Sequence, residues 1–309
     1  MPPAGRATFD VVRAARPPAP ARPTLVSPLV VRFLVVLLGL AVALFLVVVA
    51  LAWRYQERIV WQPPGGGADW TADDSTVREV RYAAADGQPL LGYLVEPTGA
   101  PAAREGRVLV AFHGNAETAA WGIVWAREVA ARTGWRVLVP EYRGYAGLPG
   151  VPSYEGSRLD ARAAWDWVRD SLGLPPERIG IFGFSLGSAI ATELASDVGP
   201  SVLVLQAPFT SARDMARIAT AWPVAAVWRA IARVHFDTRA RVARLDAPVW
   251  VAHGDADRII PTRMGRAVHA AARRPGELLL VPGAGHNDVA DAGGAAYWAF
   301  LARALNGLP

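Results

Sequence analysis

The sequence contains neither cysteine nor lysine. The absence of cysteine excludes disulfides, a thiolate nucleophile, cysteine zinc sites and iron–sulfur clusters. The absence of lysine excludes a serine–lysine dyad and a lysine Schiff base. An enzyme built from this chain must therefore take its nucleophile and its base from other residue types.

Charged residues are scarce, at 19% of the chain, and the positive charge is unevenly placed. The first 32 residues carry five arginines and one acid, so most of the net charge of +5 lies there. A nucleic-acid-binding protein needs its positive charge on the folded surface. We therefore expect no nucleic-acid partner, and we predict that residues 1–32 form a basic, disordered cytoplasmic tail.

Residues 33–53 form an apolar run without a charged residue, FLVVLLGLAVALFLVVVALAW. At 1.5 Å per residue this run matches a hydrocarbon core of about 30 Å. Arginines precede it, whereas Arg54, Glu57 and Arg58 follow in near balance. Because positive flanks stay in the cytoplasm, the pattern predicts a single-pass membrane anchor with the C-terminal domain outside.

A cleaved signal peptide is the alternative interpretation of this run. Ala50-Leu51-Ala52 resembles a small-residue cleavage site. The apolar run is longer than the usual core of a signal peptide, about 7–15 residues, and its basic flank is long. We therefore favour a retained anchor, followed by a linker over residues 54–75.

Strand and helix patterns alternate over residues 76–309 and predict one domain with an eight-stranded, mostly parallel sheet covered on both faces by helices. The predicted strands are Thr76–Ala83, Leu90–Glu96, Arg107–Phe112, Arg136–Pro140, Arg178–Phe182, Ser201–Gln206, Val249–Ala252 and Glu277–Val281. The clearest predicted helices are Glu117–Arg132, Gly156–Leu172, Leu186–Asp197, Thr262–Arg273 and Val289–Leu305. An aromatic-rich interruption at about residues 208–246 predicts a short lid.

The candidate nucleophile is Ser185, in the motif Gly183-Phe184-Ser185-Leu186-Gly187 between a predicted strand and a predicted helix. The pattern G-x-S-x-G needs this context, because its glycines allow strand and helix to approach closely around a strained turn. An ordinary turn with a capping serine is the alternative. The strand–turn–helix context favours a catalytic serine.

A serine hydroxyl needs a base within hydrogen-bond reach, and the chain has five histidines. His286 follows the last predicted strand in a glycine-rich loop, which makes it the first candidate. His235 in the lid ranks second, whereas the pattern places His269 on a helix surface. His113 and His253 end strands and are expected to be structural.

The base in turn needs a carboxylate, and the loop after the seventh predicted strand offers Asp255 and Asp257. The residue pattern alone does not distinguish between them. The order serine, acid, histidine, each just after a strand, is the chain order of the α/β-hydrolase triad.

Two backbone N–H groups are expected to form an oxyanion hole for the charge that develops on a carbonyl oxygen. One belongs to Leu186, the residue after the candidate nucleophile. The other lies in the loop His113-Gly114-Asn115-Ala116, where Asn115 is the best candidate. The alternative is that this loop is only a bend that ends a strand.

Taken together, the motifs resemble the Bem46-like, ABHD-type α/β-hydrolases, a group that includes bacterial members described as serine aminopeptidase-like. The segments that carry the resemblance are FHGNAETAA, EYRGYAGLPGVPSYEG, GFSLGSAIA, APFTSARDMA, HGDADRIIP and GAGHND. The resemblance implies the triad Ser185, Asp257 and His286 and thus favours Asp257 over Asp255. It also implies Asn115 and Leu186 as oxyanion donors. The sequence departs from the family pattern at Ser188, where many relatives have glycine.

The sequence thus predicts a membrane-anchored serine hydrolase that cleaves an ester, thioester or amide acyl bond through an acyl-enzyme. It needs no metal and no organic cofactor, and an apolar, lipid-like acyl substrate fits an aromatic lid beside a membrane. One alternative is an exopeptidase-like amidase, which would need an acid to hold a substrate ammonium group. The other is a membrane-tethered binding protein without catalysis.

Overall fold

The computed structural model of the 309-residue chain describes residues 27–65, 75–98, 106–219 and 231–307. Residues 1–26 of the predicted tail and residues 220–230 of the predicted lid lie outside the described residues. The chain forms two units, residues 1–50 and residues 51–309.

Helix α1 spans Pro28–Val60. Its most apolar 18-residue window has a mean hydropathy of 3.3, and none of that window is buried. The helix is therefore long and apolar enough to cross a membrane. It continues past Trp53 to Val60, so the first residues of the predicted linker are helical.

An eight-stranded sheet forms the centre of the second unit, in the order β1-β2-β4-β3-β5-β6-β7-β8. Strands β1 and β2 pair antiparallel, as do β2 and β4, and the other neighbours are parallel. The strands are β1 (Val77–Ala83), β2 (Pro89–Val95), β3 (Val108–Phe112), β4 (Arg136–Pro140), β5 (Ile179–Phe184), β6 (Leu203–Gln206), β7 (Val249–Gly254) and β8 (Pro275–Val281). The predicted mostly parallel sheet is confirmed.

The described helices of the second unit follow the strands in alternation. They are α2 (Ile123–Thr133), α3 (Tyr154–Ser171), α4 (Leu186–Val198), α5 (Ala212–Ala219), α6 (Thr238–Val242), α7 (Thr262–Ala271) and α8 (Val289–Asn306). Local capping sets some of their ends: the Ser153 hydroxyl accepts a hydrogen bond from Gly156 N at the start of α3. Gly134, with φ of 76°, ends α2.

Two large hydrophobic clusters cover the described part of the sheet, one on each face, and a small third cluster joins Ala84, Leu90 and Ala163. Leu109 and Val110 are adjacent in β3, yet they belong to opposite clusters. Val204 and Leu205 in β6 divide in the same way. This alternation explains why the central strands are apolar at nearly every position, since both of their faces are covered.

Parallel strands end at a common edge of the sheet, which positions the functional loops. The loops after β3, β5, β7 and β8 all leave the sheet at their carboxyl ends. Binding sites of open α/β sheets form at this edge.

Candidate active site

The turn between β5 and α4 holds Ser185 in a conformation that few residues adopt. Its φ is 53° and its ψ is −117°, and its backbone N–H donates to Gln206 O at 3.0 Å. A Cβ at Gly183 would collide with the backbone of Gly187, and one at Gly187 would collide with the carbonyl oxygen of Phe112. The two glycines therefore let α4 pack directly on the sheet behind the serine.

Ser188 supports this turn from inside α4. Its hydroxyl donates to the carbonyl oxygen of Ser185 at 2.6 Å, and its backbone N–H donates to the same oxygen at 3.0 Å. The departure from glycine at this position thus adds a hydrogen bond to the turn.

His286 lies between Ser185 and Asp257. Its Nε2 is 2.9 Å from the Ser185 Oγ, and its Nδ1 is 2.7 Å from the Asp257 Oδ2. The Phe184 ring packs on the imidazole, with centroids 5.1 Å apart. The fold thus brings together three predicted site residues from the loops after β5, β7 and β8.

Asp257 is surrounded by hydrogen-bond donors. Its Oδ1 accepts from the backbone N–H groups of Ile259 and Ile260, each at 2.8 Å, and its Oδ2 lies 3.2 Å from His253 Nε2. Burial alone would raise the pKa of Asp257, but the bonds to His253 and His286 and from Ile260 outweigh it and hold this pKa well below its usual range. The carboxylate therefore stays ionised beside the imidazole.

Asp255, the alternative acid, has a different set of contacts. It is exposed, and its Oδ1 accepts a hydrogen bond from the Gly283 N–H at 2.7 Å. This contact joins the loop after β7 to the loop after β8. Asp255 thus braces the two loops, and His286 contacts the other carboxylate.

The remaining histidines make contacts of their own. His253 is fully buried and its Nε2 lies 2.9 Å from Ile260 O, and His269 Nε2 lies 2.9 Å from Gly276 O. The His235 ring packs edge-on against Tyr154 at a centroid distance of 5.8 Å.

His113 forms a buried pair with Glu141 beneath the loop after β3. Its Nε2 is 2.9 Å from Glu141 Oε1, and its Nδ1 is 2.9 Å from Gly114 O. Burial alone disfavours the charged ring, but the Glu141 carboxylate outweighs this and raises the pKa of His113. Glu141 Oε2 also accepts from Ala119 N at 2.9 Å, so one carboxylate holds both ends of the loop.

The loop after β3 places Asn115 between two constrained neighbours. The Gly114 N–H donates to Glu117 Oε2 at 2.7 Å, and Ala116 has a positive φ of 56°. Leu186 is the first residue of α4, so its N–H has no partner within the helix. Asn115 also uses its side chain, whose Nδ2 donates to Val60 O at 2.6 Å. No local sequence pattern indicates that contact, because the partners lie 55 residues apart.

An aromatic groove lies beside the histidine, with a volume of about 380 Å³. Phe184 and Asn287, the chain neighbours of Ser185 and His286, line it. Its remaining aromatic lining comes from Trp121, Trp125, Phe182 and Trp298. In the described part of the chain, no group of three or more histidine, aspartate or glutamate side chains could hold a metal ion.

The strand order, the turn at Ser185 and the loops at the carboxyl edge define an α/β-hydrolase fold. The sequence model of the alpha/beta hydrolase fold matches residues 107–225. Among solved structures, the acetyl xylan esterase from Paenibacillus sp. R4 superposes with a TM-score of 0.61 at 20% identity, covering 77% of this chain and 86% of that one. At this identity the likeness concerns the fold alone.

Sequence relatives specify the family. An uncharacterized protein of Mycobacterium tuberculosis is 34% identical over 243 residues, 78% of this chain and 84% of that protein. Human alpha/beta hydrolase domain-containing protein 17B is 29% identical over 57% of this chain and 59% of its own length. Lysophosphatidylserine lipase ABHD12 of Danio rerio is 29% identical over 55% and 48%. The chain belongs to the ABHD-type α/β-hydrolase family.

The His113–Glu141 pair predicts a pH-dependent stability. A histidine whose pKa is raised in the folded protein stabilises it most below the pKa of the unfolded chain, about 6.5. We expect His113→Gln to lower the free energy of unfolding by about 3 kcal/mol at pH 5. The difference from the unsubstituted protein should shrink as the pH rises through the pKa of folded His113.

Urea unfolding of both proteins across pH 5–9 measures this difference. His269→Gln, at a half-buried helix position, is the control and should show no comparable trend. A difference in unfolding free energy that grows as the pH rises would contradict a stabilising ion pair between His113 and Glu141.

Proposed function

We propose that this chain is a membrane-anchored serine hydrolase that cleaves an ester, thioester or amide acyl bond through an acyl-enzyme at Ser185. The observation that carries the proposal is the hydrogen-bond chain from Asp257 through His286 to the Ser185 hydroxyl. A base oriented by a buried carboxylate and in contact with a serine hydroxyl is the arrangement that activates serine for acyl transfer.

The hydrogen-bond partners of the His286 ring indicate which ring nitrogen carries the proton when the ring is neutral. With the proton on Nδ1, the ring donates to the Asp257 carboxylate and Nε2 accepts from the Ser185 hydroxyl. As Ser185 attacks the acyl carbon, His286 takes the hydroxyl proton and becomes an imidazolium, which Asp257 stabilises. His286 then gives this proton to the leaving group. Water repeats the cycle on the acyl-enzyme and releases the acid.

The tetrahedral oxyanion would be held by the backbone N–H groups of Asn115 and Leu186. The position of Leu186 at the start of α4 supports its role, because N–H groups at a helix start face developing negative charge. The position of Asn115 supports the second role, since its loop leaves β3, the neighbour of β5 in the sheet. Each donor is worth about 3–4 kcal/mol of transition-state stabilisation.

An apolar acyl substrate fits the surroundings of the proposed triad. The aromatic groove is lined by Phe184 and by the exposed ring of Trp121, so an acyl chain could pack there on aromatic faces. The relative from Danio rerio is named a lipase, which supports a lipid-like substrate. A larger cavity, of about 700 Å³, lies by the amino ends of β6 and β7, at the opposite edge of the sheet.

The contacts of the acids in the described part of the predicted lid give no support to an exopeptidase-like amidase. Asp214 binds Thr210 and Arg217, Asp237 caps α6, and Asp246 pairs with Arg273. These are the described acids of the predicted lid that could have held a substrate ammonium group, and each is already engaged.

We further propose that α1 is the membrane anchor, with the hydrolase unit on the extracytoplasmic side. Its length and hydropathy support a span, and the arginines of residues 1–32 support a cytoplasmic N-terminus.

Labelling with a fluorophosphonate probe tests the nucleophile. The purified protein should be labelled covalently, and Ser185→Ala should abolish the labelling, because the phosphorus reagent reacts with an activated serine. Ser201→Ala, which removes a hydroxyl at the opposite edge of the sheet, is the control and should label normally. Absence of labelling in the unsubstituted protein would favour the non-catalytic binding protein.

A matched pair of substitutions tests the acid. Asp257→Asn should lower kcat by about 10⁴-fold, because the imidazole loses its tautomer control. Asp255→Asn should lower kcat less than about tenfold, because it alters a brace between loops. Steady-state kinetics on an activated ester measures both, and a larger loss at Asp255 would refute the assignment.

Reporter fusions test the proposed topology. Alkaline phosphatase, which is active only outside the cytoplasm, should be active when fused after residue 309 and inactive when fused before Met1. An N-terminal tag should stay on the full-length protein in the membrane fraction, since the anchor is retained. Release of an untagged, shortened protein would instead support a cleaved signal peptide.

A further inference from the structure

The carboxamide of Asn115 connects the loop after β3 to the segment where α1 ends. Its Nδ2 donates to Val60 O at 2.6 Å, and its Oδ1 accepts from Gln62 N at 3.0 Å. The Tyr145 hydroxyl donates to the same oxygen at 2.7 Å. Three of the four hydrogen bonds that an asparagine side chain can make are therefore formed.

The segment that receives Asn115 is itself fixed to the hydrolase unit. Gln56 is buried, and its Nε2 and Oε1 bond to Ile231 O at 3.3 Å and to Arg233 N at 2.6 Å. Trp61 is only 3% exposed and packs in the core, 6.1 Å from the Phe236 ring. Residues 56–62, which we name the proximal segment, thus form a firm support for the loop.

The loop needs such a support, because its backbone is strained next to Asn115. Ala116 has a φ of 56°, which side chains with a Cβ avoid. Residues in such conformations persist only where their surroundings hold them. The Asn115 N–H belongs to the peptide between Gly114 and Asn115, and the side-chain bonds of Asn115 hold this peptide on one side.

We infer that the Asn115 carboxamide is a positioning group that aims its own backbone N–H at the oxyanion by binding the backbone atoms Val60 O and Gln62 N, so that the proximal segment supports the active site through its backbone and not through the Gln62 side chain. The inference rests on the proposed serine-hydrolase function and assigns the proximal segment a role in it. Asn115 thus acts twice, through its N–H on the reacting oxygen and through its side chain on the proximal segment.

A matched pair at Gln62 tests the inference without changing the loop. Gln62→Pro removes the N–H that donates to Asn115, whereas Gln62→Ala keeps this N–H and removes only the side chain. With the full-length protein in detergent micelles and an activated ester, we expect Gln62→Pro to lower kcat about tenfold with KM unchanged. Such a split is typical of an interaction made only in the transition state. Gln62→Ala should stay within twofold of the unsubstituted protein.

Asn115→Ala provides a second test, since it keeps the backbone N–H but removes all three side-chain bonds. Its kcat should fall further than that of Gln62→Pro, again at unchanged KM. Tyr145→Phe removes one bond and leaves those to Val60 and Gln62, so it should have the smallest effect of the three. The folded fraction at the assay temperature, measured by circular dichroism, is recorded for each variant.

Equal kcat values for Gln62→Pro and Gln62→Ala would overturn the inference, as would a loss that merely follows the unfolded fraction. A rise in KM at constant kcat would overturn it too, because substrate binding rather than oxyanion stabilisation would then be affected. Ser185→Ala in the same assay distinguishes failure of the proposed function from failure of the inference. If it retains activity, the proposed function fails; if it is inactive while Gln62→Pro is fully active, only the inference fails.

Discussion

The close packing of α4 on the sheet is the constraint on which the site depends. Only glycine at positions 183 and 187 lets the helix start directly against β5 and the end of β3. This contact forces Ser185 into its positive φ and lifts its hydroxyl away from the backbone. It also brings the start of α4 next to the loop after β3, so that the proposed nucleophile and both proposed oxyanion donors meet in one place.

Buried polar groups hold the loops around this turn. Asp257 accepts two backbone N–H groups of its own loop while it faces His286. Glu141 binds the His113 ring and the Ala119 N–H, at the two ends of the loop after β3. Each carboxylate thus orders backbone that water would otherwise solvate, and each is costly to leave without partners. The buried carboxylates of Asp257 and Glu141 therefore position the loops around Ser185.

Much of the fold could be predicted from the sequence, because its strands and helices have strong local patterns. The eight predicted strands lie within a few residues of β1–β8, since central parallel strands are apolar at consecutive positions. The proximity of Ser185 to His286 could be predicted, because both residues follow strands that end at the same edge of the sheet. The choice between Asp255 and Asp257 could not be predicted from the residue pattern, because the two acids lie in one loop and differ only in where their side chains point. The predicted choice came from the family resemblance. The helical continuation to Val60 and the side-chain bonds of Asn115 depend on contacts between distant residues, which no local pattern encodes.

Trapping the covalent intermediate tests the proposed acyl transfer at Ser185 most directly. The protein would be mixed with an activated acyl ester, quenched in acid within milliseconds and digested, and the peptides would be weighed by mass spectrometry. The peptide containing Ser185 should gain the mass of the acyl group, and this adduct should accumulate during a burst of product release. Turnover of the ester with no adduct, or with the acyl group on another residue, would contradict an acyl-enzyme at Ser185.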